Sequence, residues 1–272
     1  SDVYKRQTNY NIDEVFMKIL LVNDDGIKAE GLKAIAKELS LKHEVFIVAP
    51  MTEQSGMSQA LTMGVPLRVE TVDMKMENVT AYAVEGTPAD CTKLALEFLL
   101  KEKPDLIISG INNGANLGTD VLYSGTVGAA LEGYNHKISS IAVSVSSKSN
   151  VSFSTIAKVM ADRISFFYNT DKLFMYNINF PKSLKDNKIK FVFTKHGRRI
   201  YENEFDAVIL DDGSIAYKMQ GRAKDIGNDE FTDIEVVKNG YISVTPLQIE
   251  RTDFSKLETL NNLGGILNGI ND

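Results

Sequence analysis

The sequence holds one cysteine, Cys91, and three histidines in 272 residues. One thiol can neither close an intramolecular disulfide nor build a thiolate metal cluster, and a reducing cytoplasm is the expected setting. Basic residues are not in excess, because 30 Lys and Arg stand against 36 Asp and Glu for a formal charge of -6. That balance excludes the broad positive surface of a duplex nucleic-acid binder. No apolar run reaches the roughly 18 residues of a membrane span, and no signal peptide is expected. Three familiar signatures are missing as well: G-x-x-x-x-G-K-[ST], G-x-G-x-x-G after the first strand, and G-x-S-x-G. What is present is 43% hydrophobic and 24% charged residues, the balance of a globular chain with a sizeable core.

Residues 1–16, "SDVYKRQTNYNIDEVF", are polar and aperiodic and read as a non-native or disordered extension, with Met17 as the native start. From there, short apolar runs alternate with helical periodicity, the pattern of a parallel sheet covered by helices on both faces. "KILLV" is too continuously apolar to face water. Leu32, Ile35, Ala36 and Leu39 then share one helical stripe. "HEVFIVAP" and "TAYAV" are further strands. Thr87, Pro88 and Asp90 read as N-cap, first position and capping partner of a helix reaching about Leu100. "DLIISGIN" and "SSIAVSV" are strands, and between them lies the small-residue helix "SGTVGAALEG". Phe153, Ile156, Ala157, Met160, Ala161 and Ile164 predict one more helix. Beyond residue 181, "KIKFVFT", "DAVIL", "SIAYKM" and "GYISVTPL" read as strands without helices between them, a β-rich appendage with a hairpin turn at "DDG". The last segment, "FSKLETLNNLGGILNGI", begins as a short helix that frays at its glycines.

In an open parallel sheet, ligands bind beyond the carboxyl ends of the strands. That edge gathers Asp24 and Asp25 after the first strand, Ser55 after the second, Asn112 after the fourth, and the Ser124-Gly125-Thr126 turn that opens a helix. A helix cap is the plain alternative for the two aspartates, but one cap does not need two adjacent acids. Carboxylate, hydroxyl and amide oxygens suit a hard divalent ion such as Mg²⁺ or Mn²⁺, whereas zinc would want His or Cys. Free N–H groups and hydroxyls at Ser124, Gly125 and Thr126 suit a phosphate, with tight packing on the sheet as the alternative. His43, His136 and His196 are scattered and read as surface or hairpin residues, and Cys91 as core.

These segments together resemble the SurE family, the survival-protein-E nucleotidases, from Met17 to about Leu247. The resemblance is carried by "ILLVNDDGI", "VAPMTEQSG", "VEGTPADC", "DLIISGINNGANLGTDVLYSGTVGAALEG" and "GYISVTPL", in that order and spacing. It implies a Rossmann-like, doubly wound α/β fold with a mainly parallel sheet: a core over residues 17–180 and, within the same domain, a β-rich arm and tail over 181–272. It also implies a metal-dependent phosphatase of nucleoside monophosphates, some members also trimming short polyphosphate. One divalent ion per subunit would be held by Asp24, Asp25, Ser55 and Asn112, and phosphate by Asn116, Ser124, Gly125 and Thr126. Asp24, Asp25, Asn116, Ser124 and Thr126 form the implied catalytic set. A homodimer or homotetramer exchanging the β-arm is implied too. Departures from the family pattern fall mainly in "GRAKDIGNDEFTDIEVVKNG" and the tail. The rival readings are an aspartyl-nucleophile phosphatase, whose D-x-D pattern is absent, a non-catalytic nucleotide sensor on the same scaffold, and a purely structural oligomer.

Overall fold

The computed structural model describes residues 15–202 and 205–267. Of the extension expected at residues 1–16, only Val15 and Phe16 fall among them, and Val15 packs on the core. The chain runs β1 (Lys18–Val22), α1 (Glu30–Leu39), β2 (Glu44–Pro50), β3 (Val69–Val72), β4 (Val79–Val84), α2 (Pro88–Leu94), β5 (Leu106–Asn113), α3 (Gly125–Asn135), β6 (Ser140–Val145), α4 (Phe153–Ala161), α5 (Ile164–Tyr168) and β7 (Met175–Phe180). It continues through β8 (Phe191–Phe193), β9 (Arg199–Glu202), β10 (Phe205–Ile209), β11 (Ile215–Met219), β12 (Arg222–Asp225), α6 (Asp233–Lys238), β13 (Ile242–Pro246) and α7 (Phe254–Leu267).

Nine strands form one sheet in the order β3-β4-β2-β1-β5-β6-β7-β13-β8, parallel from β4 through β7. The continuous apolarity of β1 follows from its central place. Ile19 and Leu21 pack with Leu32, Ile35 and Ile156 on the α1 and α4 face, while Leu20 and Val22 pack with Cys91 and Ala129 on the α2 and α3 face. Each such side chain, fully buried, contributes about 1.5–3 kcal/mol, so truncating one to alanine removes more stability than any surface ion pair supplies. Thr87 caps α2 as expected, with a reciprocal box to Asp90, and the helix runs on as a π-helical turn over Ala95–Leu99.

Four expectations need correction. The single helix over 153–164 is two, α4 and α5, broken at Asp162 and Arg163, although Ile156, Ala157, Met160 and Ile164 remain buried along the predicted stripe. The region after residue 181 is neither helix-free nor wholly an appendage: α6 lies within it, and β13 joins the main sheet antiparallel to β7 and parallel to β8. Long-range pairing decides this, and local pattern carries no trace of a strand's partner. The appendage proper is the β9–β12 and β10–β11 pairs, the latter turning at Gly213. Finally, His43 is buried, and its Nδ1 accepts the N–H of Met17 at 3.3 Å. Arg199 fastens the β9–β12 pair to the body by bonding Asp120 and Asp225, each at 2.8 Å.

Candidate active site

The carboxyl ends of β1, β2 and β5 meet where the chain leaves β1 for β2 on one side while β5 lies on the other, the switch point of the sheet. Asn23 folds the turn after β1 by donating to Gly26 O at 2.9 Å and accepting the Gly26 N–H at 3.2 Å. Ile27 N donates to Pro50 O at 2.8 Å and Gln54 N to Asp24 O at 2.7 Å, so the loops after β1 and β2 are tied together.

Neither aspartate caps α1, whose N-cap is Ala29 with no side-chain bond. Asp24, 5% exposed, instead meets the start of α3: Thr126 Oγ1 donates to its Oδ1 at 2.6 Å. Two glycines permit that approach. A Cβ on Gly125 would lie 2.9 Å from Asp24 Cβ, and one on Gly128 would lie 2.0 Å from Ser58 O in the loop that carries Ser55. The small-residue character of this helix is thus a close-approach requirement. Ser124 caps α3 by accepting the Val127 N–H at 3.1 Å, which leaves Gly125 and Thr126 to present the helix N-terminus to the carboxylate.

Burial pushes the Asp24 carboxyl up to about 6, with repulsion from Asp25 adding to the rise and the Thr126 hydrogen bond opposing it. Asp25 is also raised, by burial first and by the nearby charge of Glu53. The Asn113 N–H reaches it at only 3.3 Å. Among the described residues no Lys, Arg or His forms an ion pair with either aspartate. Two adjacent carboxylates taken partly out of water with no cation beside them are costly. A bound divalent ion would offset that cost, and carboxylate, hydroxyl and amide oxygens are the donor types a hard cation takes, although among the described residues no three His, Cys, Asp or Glu side chains group to hold a metal. Ser55 is exposed, its Oγ donating to Glu53 Oε1 at 2.7 Å. Asn112 gives its amide N–H to Gly114 O at 2.7 Å, leaving the amide oxygen for another donor or a cation.

Asn116 departs from the expected geometry. Its side chain, 9% exposed, donates to Ser144 Oγ at 2.8 Å beneath the loop. Its backbone is gripped by the Asn179 Oδ1 acceptor at 2.8 Å and by the Asn177 and Asn179 amides at 2.8 and 3.1 Å. In this arrangement it braces the loop after β5. Sequence reading also passed over the groups around it. Asn177 and Asn179 alternate with apolar residues in "MYNINF", and two asparagines on one face of a buried strand are a legible sign of a polar clamp. Glu53, in the loop after β2 that carries Ser55, brings a third carboxylate beside Asp25 and Ser55. Asp233, fully buried at the start of α6, accepts the N–H groups of Gly118 and Gly197 at 2.9 and 2.7 Å. Burial alone would raise its carboxyl, yet His196 and these N–H groups hold it below the usual range.

A larger hollow, about 770 Å³, lies at the amino ends of β5 and β6 beside Lys103 and Lys137, away from the paired acids. Asp105, Asp171, Asn169 and Thr170 line it together with those lysines and Lys172.

An open, mainly parallel sheet wound by helices on both faces, with paired carboxylates at its switch point against a helix N-terminus, defines a Rossmann-like α/β protein with an acidic crevice. The chain belongs to the SurE family: residues 19–203 match the family model described as Survival protein SurE. It is 45% identical over 250 residues to the 5'-nucleotidase SurE of Pelotomaculum thermopropionicum, covering 91% of this chain and 95% of that one. It is 43% identical over 258 residues to the 5'-nucleotidase SurE of Natranaerobius thermophilus, covering 90% and 98%. Among solved structures it resembles the SurE protein of Aquifex aeolicus, with TM-score 0.76 and 36% identity over 91% of this chain and 99% of that one.

Proposed function

We propose that this chain is a 5'-nucleotidase, a phosphoric monoester hydrolase that releases phosphate from nucleoside 5'-monophosphates. The observation that carries this reading is the contact of Asp24 with Thr126, which sets an uncompensated acid pair against the N-terminus of α3. Similarity to 5'-nucleotidases SurE over about nine-tenths of the chain supports the same reaction class.

One divalent ion, Mg²⁺ or Mn²⁺, would be held by Asp24, Asp25, Ser55 and Asn112. When bound, it supplies Lewis-acid polarisation of the phosphoryl group and acidifies the attacking water. Thr126 fixes Asp24 as a ligand. Asp25, whose Oδ2 accepts only a long contact from Asn113 N–H at 3.3 Å, would both hold the ion and take the proton from water through its second oxygen. Ser124, Gly125 and Thr126 bring the positive end of α3 to the other phosphate oxygens as charge redistributes. Asn116 contributes by bracing the loop that carries Asn112.

Hydrolysis of 3'-monophosphates and of short polyphosphate belongs to the same proposal, since the cluster grips a terminal phosphate and not a particular ester. A homodimer or homotetramer is supported by the β10–β11 pair, whose Phe205, Ile209, Ile215, Tyr217 and Met219 stand exposed. Among the described residues no helix is long and apolar enough to cross a membrane. The test is a phosphate-release panel over nucleoside monophosphates and polyphosphate, with Mg²⁺ or Mn²⁺ and with EDTA. Cation-dependent release from 5'-monophosphates is expected. AMP binding without release under any of these conditions would favour the sensor reading instead.

A further inference from the structure

Residues 51–68, between β2 and β3, form neither strand nor helix, yet they carry Ser55. A chain of this kind presents a side chain at a defined place only where contacts outside it fix it. On the amino side of Ser55 the fixed point is Gln54, whose N–H donates to Asp24 O at 2.7 Å. On the carboxyl side it is Ser58. Its N–H donates to Tyr123 O at 3.0 Å and its Oγ to Leu122 O at 2.8 Å. Leu122 and Tyr123 lead directly into Ser124, the N-cap of α3. Ser55 is therefore strung between two anchors, one on each half of the site.

Ser58 is seated there under constraint. Its φ is +54°, left-handed backbone that a serine rarely adopts. Its carbonyl rests against the first turn of α3: a Cβ on Gly128 would come within 2.0 Å of Ser58 O, 2.5 Å of Ser58 C and 2.9 Å of Gln59 N. One turn further along the same helix face, Glu132 Oε2 accepts from Gln59 Nε2 at 2.7 Å. Strained backbone persists where the surrounding contacts over-determine it, and such residues cluster at functional sites.

We infer that Ser58 is a positioning residue: seated on the glycine face of α3, it sets the gap between Ser55, on the cation side of the site, and the Ser124-Gly125-Thr126 turn, on the phosphate side. The inference rests on the nucleotidase reading for the roles of those two segments, and it assigns the spacing between them to Ser58 and Gly128.

The experiment measures Mn²⁺ affinity by calorimetry, and Tm, in chelator-treated wild type, Ser58→Ala, Ser58→Gly and Gly128→Ala. Alanine and glycine remove the same hydroxyl, but glycine adopts a positive φ freely, so Ser58→Gly should melt higher than Ser58→Ala. Mn²⁺ affinity should nonetheless fall about tenfold in both, and further in Gly128→Ala, where the added methyl drives the loop off the helix. Affinity within a factor of two of the wild type in both Ser58 variants would overturn the inference. So would a loss that follows Tm and spares Ser58→Gly, because Ser58 would then be a packing contact alone. Neither readout depends on turnover, so a failure of the nucleotidase reading registers separately, in the phosphate-release panel. Should the wild type bind no Mn²⁺, affinity for inorganic phosphate in the same four proteins decides. Weaker binding in the variants supports the inference, and equal binding, or none to the wild type, overturns it. The two Ser58 variants keep the test open if Gly128→Ala does not fold.

Discussion

Thr126 Oγ1 sits 2.6 Å from Asp24 Oδ1, although 102 residues of chain separate them. That bond joins the end of β1 to the start of α3, the two halves of the proposed site.

Asp24→Asn keeps the acceptor for Thr126 but removes one charge from the pair. Phosphate release should fall on the order of 10² or more, as when a group stabilising transition-state charge is lost. Circular dichroism should remain that of the wild type. Turnover within a factor of two of the wild type would contradict the assignment.

Thr126→Val is nearly isosteric and deletes only the hydroxyl. It should weaken Mn²⁺ affinity by about 10–100-fold, because a group that orients a ligand is lost. The buried carboxylate also loses its donor, which should lower stability by roughly 1–3 kcal/mol in denaturant titrations.

The pH dependence of the cation-free protein carries a definite sign. The folded Asp24 carboxyl, at about 6, lies above its ordinary 3.8. Its contribution to stability is therefore full below pH 3.8 and lost as pH rises through 6, a change of roughly 3 kcal/mol. Without metal, Asp24→Asn should accordingly be more stable than the wild type at pH 7, and the gap should close below about pH 4. A gap in Tm that is independent of pH would contradict this.

Asn116→Ala tests the bracing role. Loss of its bond to Ser144 should lower stability by about 1–3 kcal/mol, with activity falling as the loop loosens. A residue that only touched phosphate would change KM and leave Tm where it was.

Much of this molecule is legible in its residues. The unbroken apolarity of "KILLV" marks a central strand, and Thr87, Pro88 and Asp90 mark a helix start, because both signals are local and strong. Strand β3 leaves little trace: Val69, Glu70 and Thr71 are exposed on an edge, so no alternation records a buried face. The membership of β13 in the main sheet depends on pairing with β7, more than 60 residues earlier, which no local window reports. In the site, "NDDG" and "YSGTV" mark by composition the two segments that the Asp24–Thr126 bond brings together. The inward turn of Asn116 does not, because the orientation of an asparagine is set by Ser144, Asn177 and Asn179 on other strands.

The most direct measurement is calorimetric titration of the chelator-treated protein with Mn²⁺, in the wild type and in Asp24→Asn and Asp25→Asn. One ion per chain should bind the wild type, with affinity lost or reduced at least about tenfold in each variant. Equal binding in all three proteins, or none in the wild type, would contradict the account.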